Sequence, residues 1–299
     1  ALSPTSIAGM STAQVSNLSN AQLSALTTAQ VRNLTTEQLG ALTTAKLGQF
    51  TTDQMSALST AQVASLTTAK VAALTTDKLA SLNNSSIASL TTSQVSNLTT
   101  DQVVALSDSQ IKSMTSKQLV ALSTAQASKL TSDQVAALSG TQLASMETAD
   151  VAVLKTDAIA ALSASQVKAL TTTAVAAMTT VQVASLNTSQ VAALTTAQTE
   201  KLTAAQVSAL TNTQVTALTT AQAAALTTAQ TAVLNATQVK AMETADLAQL
   251  TGAKLKAMNV AAVTALSADQ ITALGTEQTS NLTTTQVAAL SATQVKALG

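Results

Sequence analysis

A large aliphatic residue returns at every eighth position from Leu2 to Leu298, with no insertion or deletion. Of the 38 anchors, 31 are Leu, six are Met (Met10, Met114, Met146, Met178, Met242, Met258) and one is Phe50, so the size of the side chain is held while its shape varies. A second apolar residue follows each anchor by five positions. It is Val, Leu, Ile or Met in 32 of 37 octads, the exceptions being Ala127, Thr199, Ala223, Thr231 and Thr279. The consensus is Leu-Thr-Thr-x-Gln-Val-x-x, as in Leu26 to Asn33. An array that accepts substitution but no change of length is one whose neighbouring units stack in register.

Three backbones compete for this pattern. A continuous α-helix advances about 800° in eight residues, which sets successive anchors roughly 80° apart and winds the apolar stripe around the rod. A coiled coil needs a period of seven or eleven. A strand gains from the Thr and Val content, but residues five apart point to opposite faces. Abundant Ala and Gln favour helix.

A chain of very short helices fits each position. The residue after the anchor is Ser, Thr or Asn in 33 of 37 octads and reads as a helix N-cap, whose side-chain oxygen accepts from a first-turn amide. Thr27, Thr35, Thr43, Ser59, Thr67 and Thr99 are such caps. Three residues on stands Gln in 26 of 37 octads, completing a capping box; Gln30, Gln38, Gln62 and Gln102 are box partners. The anchor before the cap and the apolar residue after the Gln then form a hydrophobic staple, as in Leu26 with Val31 or Leu34 with Leu39; Leu66 and Val71 complete the expected core set. A start signal every eight residues interrupts each helix before it can lengthen.

The expected fold is therefore an all-α repeat solenoid, a superhelix of very short capped helices, one per octad, with a β-solenoid as the alternative. A unit runs from about Thr28 to Asn33 and bends at Leu34 and Thr35, in a turn of roughly four to six octads. Such helices are too short to stand alone in water. Residues 1–299 read as a single octapeptide-repeat array, part of a longer chain. Pro4 suits the first helical position after Ser3 and does not interrupt the phase.

Composition narrows the function. With 14 basic and 14 acidic residues in 299, and Arg32 the only arginine, no concentrated basic face is expected and hence no nucleic-acid partner. The absence of His and Cys removes the commonest general bases, thiolates and transition-metal ligands, so no catalytic, cofactor or metal residue is expected and the chain is read as no enzyme. Asp101 with Asp108 and Lys155 with Asp157 read as a solvated surface. Lys46, Lys70, Lys78 and Lys254 stand in the Gln position and read as covering apolar surface with their stems. The near-copies Met146–Val151 and Met242–Leu247, 96 residues apart, read first as duplication of a larger block, the alternative being that Asp150 and Asp246 replace Gln in reaching back to the cap amide. No signal peptide or membrane span is expected in this segment.

Octads such as Leu58-Ser59-Thr60-Ala61-Gln62-Val63-Ala64-Ser65 and Leu218-Thr219-Thr220-Ala221-Gln222-Ala223-Ala224-Ala225 resemble arrays in very large bacterial surface or secreted proteins labelled haem utilization or adhesion proteins. The resemblance covers essentially the whole chain. It implies a secreted or cell-surface location and a spacer role, while the lack of His, Cys and Tyr leaves no evident ligand for haem iron. The expected function is a structural scaffold, stalk or filament-forming segment, with self-association into filaments as the expected partnership. The alternative is an adhesin-type module holding glycan, protein or ice through a repeated Thr/Ser surface.

Overall fold

A computed structural model describes residues 3–298; the anchor Leu2 and the terminal Gly299 lie outside the described residues. Among the described residues there are thirty-seven α-helices, one per octad, from α1 (Pro4–Ala8) to α37 (Ala292–Ala297), and no strand. The chain is an all-α repeat solenoid, and the β-solenoid alternative is set aside. Each helix has only four to six residues, because the next N-cap arrives in extended conformation. After α5 (Thr36–Ala41), for example, Leu42 takes φ −68°, ψ 138° and Thr43 φ −68°, ψ 161°, two extended residues in succession that end one helix and start the next. The anchor amide still reaches back three residues, as in Leu66 N to Val63 O at 3.2 Å, so each helix closes on a tightened last turn.

Two compact units, Ala1–Lys155 and Thr156–Gly299, are described separately. Within each, a helix packs on the third helix before it, as α10 (Thr76–Ala80) does on α7 (Thr52–Ser56) and α25 (Thr196–Lys201) on α22 (Thr172–Ala177). Side-chain hydrogen bonds join a helix to the fourth before it, 28 to 31 residues back. A turn of the coil thus closes after between three and four octads, tighter than the four to six expected from sequence. Both apolar positions face the interior: Val31, Leu34, Leu39, Leu66 and Val71 are buried, as is Phe50 in its anchor position.

Leu26 departs from the expected core set, being only half-buried. It belongs with Met10 and Leu18 to the first coil described, and these three anchors line an open cavity of about 370 Å³ with Ile7 and Gln30. Where the second apolar position holds Thr, the hydroxyl is satisfied locally: Thr199 Oγ1 donates to Thr195 O at 3.0 Å and Thr231 Oγ1 to Thr228 O at 3.1 Å. Both residues stay fully buried.

One glycine is required by close approach. A Cβ on Gly252, first residue of α32 (Gly252–Ala257), would lie 2.5 Å from Asn281 Nδ2 and 2.7 Å from Asn281 Cβ, three octads later. The Gly252 amide also donates to the Glu277 carboxylate at 3.1 Å. Gly252→Ala is expected to lower stability by about 1–3 kcal/mol through overpacking, read as a shift in the urea midpoint, with Asn281→Gly in the same chain recovering most of it.

Candidate functional site

The side chain that organises the array is the residue three after each cap. All six expected caps accept from its amide: Thr27 Oγ1 from Gln30 N at 3.2 Å, Thr35 from Gln38 at 3.1 Å, Thr43 from Lys46 at 3.2 Å, Ser59 from Gln62 at 3.3 Å, Thr67 from Lys70 at 3.3 Å and Thr99 from Gln102 at 3.1 Å. Where the residue is Gln, its Oε1 returns the bond: the cap amides of Thr27, Thr35 and Ser59 donate to it at 2.8 Å and that of Thr99 at 2.9 Å. This satisfies two first-turn donors in each helix.

The other end of the Gln amide does a second task. Gln54 Nε2 donates to Leu23 O at 2.9 Å, Ser24 O at 3.2 Å and Leu26 O at 2.6 Å. Gln102 repeats this on Val71, Ala72 and Leu74, and Gln190 on Ile159, Ala160 and Leu162. These carbonyls end the helix four octads earlier; the first also takes its own anchor amide, as Leu23 O does from Leu26 N at 3.2 Å, while the last, such as Leu26 O, is an acceptor the short helix cannot satisfy within itself. One side chain therefore caps the start of its own helix and the end of another. Repeated at each turn, these amides form a buried seam that runs from coil to coil; Gln102 and Gln190 are 1% exposed.

Substitutions in the seam follow what each side chain can donate. Lys70 Nζ reaches Leu39 O at 3.3 Å and Gly40 O at 2.6 Å; Lys46 Nζ binds Ser16 O and Leu18 O, Lys78 binds Gly48 O, and Lys254 binds Ala224 O. The expectation that these lysines merely cover apolar surface is thus incomplete, for their ammonium groups join the coils. Burial holds the Lys70 ammonium below the usual lysine range. Ser86 is shorter and reaches one carbonyl, Leu58 O at 3.2 Å. Lys70→Met is expected to cost about 1–3 kcal/mol, because Leu39 O and Gly40 O lose the donor that ties them to the next coil, whereas Lys70→Gln should stabilise by about 1 kcal/mol by restoring both halves of the pattern. Urea unfolding followed by far-UV circular dichroism separates the two.

Asp150 and Asp246 do not form the box expected of them. Their cap residues, Glu147 and Glu243, make no side-chain cap hydrogen bond, and the Oδ2 of each aspartate is buried without a hydrogen-bond partner. An Asp side chain is one methylene shorter than Gln and, when ionised, has no donor for the carbonyls that the Gln amide reaches. Desolvation, then the negative charge of Glu147, raises the Asp150 pKa, with a nearby Thr124 hydroxyl opposing; desolvation and Glu243 push Asp246 up to about 6. Glu37 shows the opposite case, an exposed carboxyl held low by its own backbone amide and the hydroxyls of Thr35 and Thr36 at a helix start.

Among the described residues no group of three or more acidic, His or Cys side chains is placed to hold a metal ion, and no helix is long and apolar enough to cross a membrane. No curated protein matches the chain in sequence. A family model described as the ALTTAQ repeat matches residues 15–52, 31–68, 47–84, 71–108, 108–140, 143–180, 183–220 and 239–276. The run Ala25-Leu26-Thr27-Thr28-Ala29-Gln30 spells that motif in full, with its anchor, cap and seam residue. These matches span well over half of the sequence, and the chain belongs to the ALTTAQ-repeat family.

Proposed function

We propose that this repeat scaffold serves as a spacer or stalk in a large exported bacterial protein, holding other parts at a set distance. The observation that carries the reading is the seam. Octads that carry the seam Gln are tied to an earlier one by the same donors and acceptors, so adding such an octad adds one identical step. The cap hydroxyls and seam amides, which a binding face would offer to a ligand, are engaged in caps and coil-to-coil bonds. Low net charge permits such arrays to lie beside one another, as filament formation requires.

The test is a series of chains from which one, four and eight whole octads are removed, examined by small-angle scattering and negative-stain imaging. A spacer gives a maximum dimension that falls in equal steps per octad, with no saturable binding to a glycan panel. A dimension insensitive to octad number, or saturable glycan binding at the Thr/Ser surface, would instead favour the adhesin-type module.

A further inference from the structure

Asp150 and Asp246 stand where 26 octads have Gln and four have Lys, and every one of those thirty side chains carries a donor. Opposite them in register are Leu119 O, Val120 O and Leu122 O in one coil and Val215 O, Thr216 O and Leu218 O in the other, 31, 30 and 28 residues back, as the acceptors of Gln102 are. A carboxylate brings only acceptors to a row of acceptors. Each aspartate is 1% exposed, each Oδ2 is closed to water and unpartnered, and each has a second acid, Glu147 or Glu243, at the cap three residues before. A calcium-like ion needs six or more oxygen ligands and room for them, which an oxygen sealed from water does not offer. A proton needs no room.

We propose that Asp150 and Asp246 enter the seam as neutral carboxylic acids, making these two turns acid-dependent latches that loosen when the carboxyls ionise. Two cations reach the elements that face them, the exposed Lys117 of α15 (Ser116–Val120), opposite Asp150, and Lys254, whose ammonium is held on Ala224 O of the helix against Asp246; neither bonds the buried Oδ2 of an aspartate. The helix α16 (Thr124–Ala127), against Asp150, has no titratable residue, and neither has α28 (Thr220–Ala225), against Asp246. On the far side of Asp246, α34 (Ala268–Thr272) contributes only another acid, Asp269. The folded-state pKa of Asp246 lies above the ordinary aspartate value, so its contribution to stability is fully present below about pH 4 and is lost as pH rises through about 6. Asp150 shifts in the same direction.

The experiment uses the full chain. Side-chain carboxyl carbon NMR should show Asp246 titrating near pH 6, a proton affinity roughly a hundredfold above that of an ordinary aspartic acid. Urea unfolding between pH 4 and pH 7.5 should show the folded-to-unfolded ratio falling by up to about a hundredfold for Asp246, with a further fall from Asp150. Asp150→Asn with Asp246→Asn should remove that pH dependence. Titration of both carboxyls near pH 4, or an unchanged pH profile in the double variant, overturns the proposal. Should the double variant not fold, the NMR titration of the natural chain decides alone.

Discussion

Replacing Gln126 with Glu is expected to destabilise the chain by about 3–5 kcal/mol at pH 7, although Glu is a fully competent capping-box residue. Gln126 is 2% exposed; its Oε1 accepts from Ser123 N at 2.7 Å, a bond that Glu would keep. Its Nε2 donates to Val95 O at 3.0 Å and Leu98 O at 2.7 Å, and there Glu would set a buried negative charge against two carbonyls. Gln126→Lys retains a donor, as Lys70 does, and is expected to stay within about 1 kcal/mol of the natural chain. Gln126→Ala loses the donor without adding charge and should fall between the two. The Glu variant should regain stability toward pH 4, where the introduced acid is neutral. Urea unfolding of the three variants at pH 4.5 and 7 reads all of this. Equal stability of the Glu variant and the natural chain at pH 7 would show that the residue only caps its own helix and that the seam contributes nothing.

Much of this architecture was legible in the octad, because the signals that start a helix are local. Thr27, Gln30 and Val31 lie within five residues, and their spacing alone specifies cap, box and staple. The seam is not local. A period that is the same at every octad says that neighbours stack, but since all octads are equivalent it does not say which one meets which. The turn of three to four octads depends on the angle at bends such as Leu42 and Thr43, set by two extended residues whose exact dihedrals no pattern of residue types encodes. One signal for the seam was nonetheless present. A capping box accepts Glu or Gln, yet of 37 octads 26 carry Gln, four carry Lys and none carries Glu. That bias has no explanation in capping and a direct one in donation to carbonyls. Leu26 was misplaced for the related reason that burial of an anchor depends on a neighbouring coil and not on its own octad.

A single inserted residue should do more damage than the removal of eight. An Ala placed after Asn97 lengthens the link between α12 (Thr92–Ser96) and α13 (Thr100–Ala105), where Asn97, Leu98 and Thr99 already have fixed tasks as C-cap, anchor and N-cap. Either Leu98 leaves the core or Thr99 leaves its cap. The shift also carries Gln102, Gln110 and Gln118 out of phase with Leu74 O, Leu82 O and Leu90 O, which they hold at 2.8, 2.6 and 2.8 Å. With about 1 kcal/mol for each lost inter-coil bond and more for carbonyls left buried and unpaired, the expected cost is roughly 5 kcal/mol or greater. Deleting Leu98 to Ala105 as a unit brings Gln110 opposite Val71, Ala72 and Leu74, the same three register positions one octad earlier, so the seam closes again and only one repeat's contribution is lost. Amide hydrogen exchange across residues 71–126 distinguishes the cases: accelerated exchange spread over a full turn for the insertion, and near-natural protection for the octad deletion. If the insertion were absorbed as a local bulge with protection unchanged beyond Thr99, coil-to-coil register would not be what forbids changes of length in this array. The uninterrupted eight-residue phase from Leu2 to Leu298 would then need a cause other than the Gln seam.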